Sequence, residues 1–330
     1  MIETPLTPLQ ATGFLLAGTA VIGNDALQTL GTFLAANRGR IPRFLQALYL
    51  SAVLCGVLLL GWSQGNGEPS WGRLAQIPLP EPLGWADLLP PVAVLALTRA
   101  GAPVSTSFLV LTAFAPGGLQ ALLRQSLLGY GLALLTGALV YGGLGGLLEG
   151  TPEASPSAPP TPSSASPSLD PRWLLLQWLA SGWLWGQWLI QDLANVYVYL
   201  PRQLGALEMA LSLAALCAGL VLLLATDGGP LQRLLLSKSN VSDPRAGTLI
   251  SAVYGLILAG FAAVSQQPLS TTWVFLGLLA GRELALQIRW REKPAAEVAS
   301  LIGADIARAA LGLAVSVAVA LAVPAWRQPF

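Results

Sequence analysis

Two short runs of hydroxyl side chains, half a chain apart, carry much of the chemistry that this sequence offers. Each follows a proline and an aliphatic residue, in "PVSTSF" (Pro103–Phe108) and in "PLSTTW" (Pro268–Trp273). Proline fits the first turn of a helix, so we expect the hydroxyls at helix N-termini, beside unpaired backbone N–H groups. That environment favours a phosphate-like anion. The candidate anion ligands are Ser105, Thr106, Ser107, Ser270, Thr271 and Thr272.

Simple helix capping is the alternative for these hydroxyls, because serine and threonine are good N-cap residues. For a single run, capping would be the better interpretation. The second copy, at a corresponding place in the chain, favours a binding function.

Two aspartates form the second set of candidates. Asp25 lies in "GNDALQTLGT" (Gly23–Thr32) and Asp192 lies in "IQDLANVYVY" (Ile190–Tyr199), both among apolar stretches. A carboxylate inside a membrane marks a functional site by default, and helices broken at that depth bind ions in transporters. The alternative for Asp25 is a loop between two interfacial segments. Carboxylate and amide oxygens suit a hard cation, so the candidate cation ligands are Asn24, Asp25, Gln28, Asp192 and Asn195.

The composition places these residues in a membrane protein. The chain has 330 residues, 54% of them hydrophobic and 10% charged, whereas soluble domains carry about 25% charged residues. Five apolar runs approach or exceed the roughly 18 residues of a spanning helix. They are Phe44–Trp62, Ser126–Leu148, Met209–Ala225, Gly247–Val264 and Ile302–Val323. The N-terminus lacks a basic region and a cleavage site, so we expect no removable signal peptide.

Composition also excludes several classes of function. A net charge of +1 argues against nucleic-acid binding. Histidine, the commonest general base and metal ligand, is absent, which disfavours a membrane-embedded enzyme. Cys55 and Cys217 lie within apolar runs, where buried, unreactive thiols are the simplest interpretation. We therefore expect no enzyme activity, no cofactor and no metal other than a coupling ion such as Na⁺.

The positions of the motifs divide the chain into two similar halves. Pro103 and Pro268 are 165 residues apart, and Asp25 and Asp192 are 167 residues apart. Between the halves, Glu149–Arg172 is rich in Pro, Ser and Ala, a composition typical of disorder. We predict an N-terminal transmembrane repeat over residues 1–150, a disordered linker over 151–171 and a C-terminal transmembrane repeat over 172–330.

Loop charges predict that the second half is inverted. If each hydroxyl run forms a re-entrant hairpin, each half crosses the membrane three times. Eleven lysines and arginines then fall on the cytoplasmic side and four, including Arg73 and Arg202, on the outer side, as the positive-inside rule requires. The predicted fold is an all-α polytopic membrane protein of two inverted repeats, with broken helices and re-entrant helical hairpins.

The same four segments resemble signatures of a known family. "GNDALQTLGT" is similar to the G-x-N-D-V-A-N-x-x-G-T signature of the inorganic phosphate transporter (PiT-type) family. "PVSTSF" and "PLSTTW" are similar to its P-V-S-T-T-H signature, present once in each inverted half. The resemblance covers nearly the whole chain. It implies a cation-coupled carrier, with the N-D segments as cation ligands and the S-T-T segments as anion ligands.

The chain departs from the family at defined positions. Phe108 and Trp273 replace the signature histidine, and Gln28 and Gln191 replace signature asparagines. The family's membrane glutamate in the second helix of each half has no counterpart, since by distance from the motifs it falls among Val53, Leu54 and their apolar neighbours. These departures affect the prediction of the transported anion and of the coupled ions more than they affect the prediction of the fold.

The function expected from the sequence is secondary active symport of inorganic phosphate with Na⁺ or H⁺ in the plasma membrane. Neither aspartate has a lysine or arginine beside it in the sequence, so we expect cations to offset the repulsion between the aspartates and an oxyanion. The alternatives are a carrier for another oxyanion such as sulfate, and a transport-inactive relative that acts as a sensor or assembly subunit. The expected partners are the anion, the lipid bilayer and, as an open question, a second copy in a homodimer.

Overall fold

The computed structural model describes residues 6–75, 77–79, 82–99, 104–148, 171–226, 244–265, 269–290 and 294–327. Within these ranges every regular element is a helix, which confirms the all-α fold class. Residues 151–170 of the predicted linker, and the prolines Pro103 and Pro268, lie outside the described residues.

The helices of the first half are interrupted twice near the candidate residues. Two further short turns are 3₁₀-helical, Trp85–Leu88 and Pro116–Gly118. The elements are α1 (Pro8–Val21), a π-helical turn (Ile22–Ala26), α2 (Leu27–Asn37), α3 (Arg43–Gln64), α4 (Leu89–Arg99), α5 (Thr106–Phe114) and α6 (Leu119–Leu148).

The second half repeats this order with different helix lengths. Its elements are α7 (Pro171–Asp192), α8 (Ala194–Tyr197), α9 (Ala206–Ala225), α10 (Pro244–Val264), α11 (Thr271–Trp290) and α12 (Ala295–Arg327).

Five helical segments are long and apolar enough to cross a membrane. They are Arg43–Gln64, Pro116–Leu144, Ala206–Ala225, Pro244–Val264 and Ile302–Val323, and each overlaps one of the five runs predicted from the sequence. Large apolar side chains such as Leu48, Leu135 and Leu222 are exposed on these helices. Lipid, rather than water, is the solvent that suits such surfaces. The chain is a multi-pass membrane protein.

Both aspartates lie at breaks between helices. Asp25 is in the π-helical turn that joins α1 to α2, a kind of irregularity found frequently at functional sites. Asp192 ends α7, and a single residue, Leu193, separates it from the short helix α8. The interruptions predicted around the aspartates are therefore present in both halves.

Each hydroxyl run begins a helix, but three residues later than a proline at the first helical position would require. Ser105 is the extended N-cap of α5, and α11 begins at Thr271. The prediction that proline occupies the first helical turn was wrong. The cap falls on the first serine of each run, because Ser105 Oγ accepts from the Phe108 amide and Ser270 Oγ accepts from the Trp273 amide, while Val104 and Leu269 before them are fully buried.

The two hairpins differ in length. Helices α4 and α5 have 11 and 9 residues, about 16 and 14 Å, and are too short to cross a hydrocarbon core of about 30 Å. Helices α10 and α11 have 21 and 20 residues and are each long enough to cross it. By length, the predicted re-entrant hairpin fits the first half and does not fit the second.

The halves pack closely where α6 meets α11. A Cβ added to Gly281 would lie 2.1 Å from the carbonyl oxygen of Leu134 and 2.8 Å from the amide nitrogen of Ala138. One added to Gly277 would lie 2.3 Å from the carbonyl oxygen of Tyr130. Gly277 and Gly281 form a G-x-x-x-G pattern, which lets membrane helices approach closely. Helix α11, which carries Thr271 and Thr272, is positioned by this contact.

We predict that Gly281→Ala destabilises the protein, because the added methyl group collides with the backbone of α6 and overpacking costs about 1–3 kcal/mol. Gly131→Ala is the matched control, since nothing lies within 4 Å of a Cβ at this α6 position. Thermal unfolding in detergent, followed by tryptophan fluorescence, should give a lower Tm for Gly281→Ala only. Equal Tm values for the two variants would contradict the close α6–α11 contact.

A second contact between the halves joins α3 to α9. The Sγ atoms of Cys55 and Cys217 are 3.6 Å apart, and both thiols are free and half-buried. The sequence placed the two cysteines in apolar helices but gave no sign that they touch.

We predict that a membrane-permeant oxidant such as copper phenanthroline joins Cys55 to Cys217. With a protease site placed in the segment 151–170, cleaved halves of the oxidised protein should migrate together without reductant and separate with it. Cys55→Ser should give separate halves in both conditions. Separation of the oxidised parent would contradict the α3–α9 contact.

Candidate functional site

The Asp25 carboxylate is held by hydroxyls from both halves of the chain. Thr106 Oγ1 donates a hydrogen bond to Asp25 Oδ2. Thr272 Oγ1 donates to Asp25 Oδ1 over 3.2 Å. One donor begins α5 and the other begins α11, so this carboxylate joins the tips of two hairpins.

The Asp192 carboxylate has the corresponding arrangement with the halves exchanged. Thr271 Oγ1 donates to Asp192 Oδ2, and Ser107 Oγ donates to Asp192 Oδ1 over 3.1 Å. The hydroxyl positions are thus used in the same way twice. The second hydroxyl of each run binds the aspartate of its own half, and the third binds the aspartate of the other half.

The two aspartates belong to one cluster. Thr271 and Thr272 are adjacent residues, with Cα atoms about 3.8 Å apart, and they bind different carboxylates. Asp25 and Asp192 are 2% and 1% exposed. Two carboxylates therefore lie close together, shielded from solvent, with four hydroxyl donors around them.

An amide flanks each carboxylate. Asn24 Nδ2 donates to Asp25 Oδ1 over 2.9 Å and to the carbonyl oxygen of Val104 over 2.6 Å. The Oδ1 atom of Asn24 accepts from Gln28 Nε2 at 3.4 Å. Asn24 and Gln28 thus form an amide pair that ties the π-helical turn to the start of the α5 segment.

The amide of the second half leaves an oxygen open. Asn195 Nδ2 donates to Asp192 Oδ1 and to Ser107 Oγ, both over 3.1 Å. The Oδ1 atom of Asn195 is buried and has no hydrogen-bond partner among the described residues. Buried polar atoms are nearly always satisfied. An open oxygen beside a carboxylate is a suitable ligand for a hard cation.

The first serine of each run does not face the carboxylates. Ser105 Oγ accepts from the Phe108 amide and Ser270 Oγ accepts from the Trp273 amide, each at 3.4 Å. The capping alternative therefore describes these two residues, while the hydroxyls that follow them reach the aspartates.

Several residues that support the cluster gave no signal in the sequence. Ser126 Oγ accepts from the Ser270 amide at 2.9 Å. Tyr254 Oη donates to the Thr271 carbonyl over 2.8 Å, and Thr29 Oγ1 donates to the Asp25 carbonyl over 3.1 Å. Tyr254 and Ser126 lie in runs that were interpreted only as apolar spans, and Thr29 lies in the Gly23–Thr32 segment but is neither a carboxylate nor an amide, which is why none of them was a candidate.

One arginine interacts electrostatically with Asp192 although it is distant in the sequence. Arg73, in the loop between α3 and α4, is 3% exposed. Burial lowers the pKa of Arg73 to about 10, while the negative charge of Asp192 acts in the opposite direction and raises it. The two residues are 119 positions apart, so the sequence gave no sign of this interaction.

The sequence matches no protein-family model and no curated protein. Among solved structures, the chain is similar to one described as "The sodium-dependent phosphate transporter". The TM-score is 0.55 and the sequence identity is 14%, and the alignment covers 96% of each chain. At this identity the similarity establishes a shared fold. The all-helical fold is therefore one that a protein described as a transporter also has.

Proposed function

We propose that this protein is a cation-coupled carrier of inorganic phosphate and a divergent member of the PiT-type family, acting in the plasma membrane. The observation that carries the proposal is the buried cluster in which Thr106, Ser107, Thr271 and Thr272 surround the carboxylates of Asp25 and Asp192. The similar solved structure, described as a phosphate transporter, supports it.

The number of hydrogens that the hydroxyls can donate gives the first reason to expect coupling between cation binding and anion binding. A threonine or serine hydroxyl has one donor hydrogen, and in this arrangement each of the four donates to a carboxylate. An oxyanion needs donors, so it must take them from Asp25 and Asp192. A carboxylate that binds a cation no longer needs a hydroxyl donor, and the O–H group can turn to the oxyanion. Cation binding thus prepares the anion site.

Charge gives a second reason for coupling. An oxyanion placed beside two buried carboxylates is repelled strongly at low dielectric. Cations bound to the aspartates, or protons added to them, remove that repulsion. We propose Na⁺ as the coupling ion, because the open Asn195 oxygen beside Asp192 supplies a neutral ligand that a proton would not require.

We also propose that the two halves are inverted repeats about a pseudo-two-fold axis. Two pairs of equivalent positions support this arrangement, because a residue that touches its own counterpart lies near such an axis. Cys55 contacts Cys217, 162 positions later, and the ring of Phe108 lies 6.0 Å from that of Trp273, 165 positions later. The exchange of hydroxyl donors between the halves has the same symmetry.

We expect Asp25→Asn to abolish sodium-driven accumulation of phosphate. The amide keeps an oxygen ligand but loses the negative charge that attracts the cation. Glu208→Gln is the control, since Glu208 accepts from the Gly205 amide at the start of α9 and an amide oxygen can replace it. Uptake of labelled phosphate into liposomes, driven by sodium and separately by a pH gradient, provides the measurement.

If Asp25→Asn accumulates phosphate as well as the parent protein does under both gradients, the role of Asp25 in cation binding is contradicted. If the parent accumulates labelled sulfate in preference to phosphate, the anion is sulfate. If the parent accumulates neither, the chain is the transport-inactive relative.

We expect Thr271→Val to weaken phosphate binding while leaving sodium binding largely intact. A hydrogen bond to a charged group contributes about 1.5–3 kcal/mol, so the KM for phosphate should rise about 10- to 100-fold. Thr19→Val is the matched control, because the exposed Thr19 hydroxyl bonds only the Leu15 carbonyl of its own helix. If the KM for phosphate is unchanged in Thr271→Val, the Thr271 hydroxyl does not bind the anion.

A further inference from the structure

A line of buried polar side chains leads away from the aspartates between α2, α7 and α10. Thr32 Oγ1 and Ser181 Oγ each lie 3.4 Å from Ser251 Oγ, so one hydroxyl from each helix meets at the same place. Gln177 Nε2, one turn from Ser181 on α7, donates to the Thr32 carbonyl over 3.4 Å. Gln177 Oε1 accepts from Asn37 Nδ2 at 2.9 Å. We call Thr32, Asn37, Gln177, Ser181 and Ser251 the polar track.

The track reaches one end of the three helices. Asn37 ends α2 and lies 12 residues after Asp25. That separation is about 18 Å of helix rise, which is more than half of a hydrocarbon core of about 30 Å. At this end Arg38 follows α2, Arg172 begins α7 and Arg245 begins α10. It is therefore the end that the positive-inside rule assigns to the cytoplasm.

The other end of the track meets the candidate site. Tyr254 of α10 donates to the Thr271 carbonyl over 2.8 Å, and Thr29 of α2 donates to the Asp25 carbonyl over 3.1 Å. Tyr254 and Thr29 are both buried, and each lies three positions from a track residue of its own helix. The track therefore begins about one helical turn from the residues that contact the aspartates.

The hydrogen bonds inside the track are long. Three of them measure 3.4 Å, whereas N–H···O bonds usually measure about 2.7–3.2 Å and O–H···O bonds about 2.5–3.0 Å. Hydrogen bonds between membrane helices contribute little to stability even with good geometry, so stability gives little reason to place hydroxyls here. Long bonds between neutral groups are easily exchanged for bonds to an ion and its water, and polar residues inside a membrane mark such pathways.

Short hydrogen bonds close the cytoplasmic end of the track. Asn37 Nδ2 donates to Gln177 Oε1 over 2.9 Å and to the Phe33 carbonyl over 2.8 Å. Asn37 Oδ1 accepts from Trp178 Nε1 at 2.9 Å, and the rings of Phe33 and Trp178 pack edge to face at 5.2 Å. Asn37 and Gln177 are fully buried. These residues separate the track from the cytoplasm in this conformation.

We propose that the polar track is the path by which the coupling cation leaves Asp25 for the cytoplasm, with the Asn37–Gln177 pair as its inner gate. This proposal rests on the proposed function, because it gives a route to the cation of that carrier. Neutral hydroxyl, amide and carbonyl oxygens suit a hard cation, and the carboxylates at the end of the track repel an anion. A Cβ added to Gly247 would lie 3.7 Å from Gln177 Nε2 and 3.8 Å from Thr32 Cβ, so the track is narrow and favours a small ion over phosphate.

Labelling of a single cysteine from the cytoplasmic side tests the path. Ser251→Cys is introduced into the full chain that also carries Cys55→Ser and Cys217→Ser, and sealed vesicles are treated with a cationic, membrane-impermeant methanethiosulfonate. We expect the cysteine at position 251 to be labelled. Asn37→Ala should speed the labelling about tenfold, because the hydrogen bonds that close the track are lost. An anionic reagent of the same class should react more slowly, because the aspartates repel it.

Two matched controls separate a path from a general loosening of the fold. Ser316 is also fully buried and donates to the Gly312 carbonyl of its own helix, α12, so Ser316→Cys should stay unlabelled. Gln46 is a buried amide near the same end of the helices and donates to the Ile41 carbonyl over 2.9 Å. Gln46→Ala should therefore leave the labelling rate of Ser251→Cys unchanged.

A side chain that fills the track should slow transport without preventing binding. Gly247→Leu places its side chain against Gln177 and Thr32, whereas nothing lies within 4 Å of a Cβ at Gly260 of the same helix. We expect Gly247→Leu to lose most of its sodium-driven phosphate uptake, while Na⁺ and phosphate still raise its Tm as they raise that of the parent. Gly260→Leu should match the parent in both measurements.

The outcomes separate the path from the proposed function. If the parent accumulates phosphate with sodium but Ser251→Cys is not labelled with or without Asn37→Ala, the path is wrong and the proposed function stands. Equal labelling of Ser316→Cys, faster reaction with the anionic reagent, or parental uptake by Gly247→Leu would each overturn the path as well. If the parent accumulates no phosphate but the cationic reagent labels Ser251→Cys, faster with Asn37→Ala, phosphate transport is wrong and the cation path stands.

Discussion

The structure depends on the burial of two carboxylates that cannot be left unsatisfied. In a medium of low dielectric, an ionised carboxylate without hydrogen bonds is unfavourable by many kcal/mol. Asp25 and Asp192, which lie at the two helix breaks, are satisfied by hydroxyls that the chain supplies from two segments, the starts of α5 and α11. Because each hairpin contributes to both aspartates, the need to satisfy the carboxylates also holds the two halves together. A change at either aspartate therefore reaches both hairpins.

The close packing of α6 against α11 makes this arrangement geometrically possible. Helix α11 must bring Thr271 within hydrogen-bonding distance of Asp192 and Thr272 within 3.2 Å of Asp25. The missing side chains at Gly277 and Gly281 allow its backbone to touch that of α6. Larger residues there would move the helix outward and lengthen every bond at its tip. The glycines thus act on the site although they lie about one and a half and two and a half turns beyond Thr272.

Much of the fold could be predicted because its signals are local. A long apolar run predicts a spanning helix, and a carboxylate inside one predicts a break, so the positions of α3, α9 and the two interrupted helices follow from the sequence. Helix starts were less accurate, since the first serine of each run caps its helix and the proline lies before the cap. The length of α11 was not predicted either, because a charged residue such as Arg282 argues against a span in sequence. In the structure it contacts the Tyr141 ring from α6.

The features of the site that escaped prediction are those in which the two halves differ. Repetition in the sequence predicted equivalent roles for Asp25 and Asp192, and the hydroxyl bonds follow that equivalence. The structure nevertheless makes them unequal, because Asn195 Oδ1 beside Asp192 has no hydrogen-bond partner among the described residues, whereas Asn24 Oδ1 beside Asp25 accepts from Gln28. In the proposed carrier, two identical cation sites would have equal affinities, and neither would empty before the other. An open amide oxygen beside only one of two otherwise matched carboxylates gives the two sites different ligands, which provides a basis for releasing their cations in order.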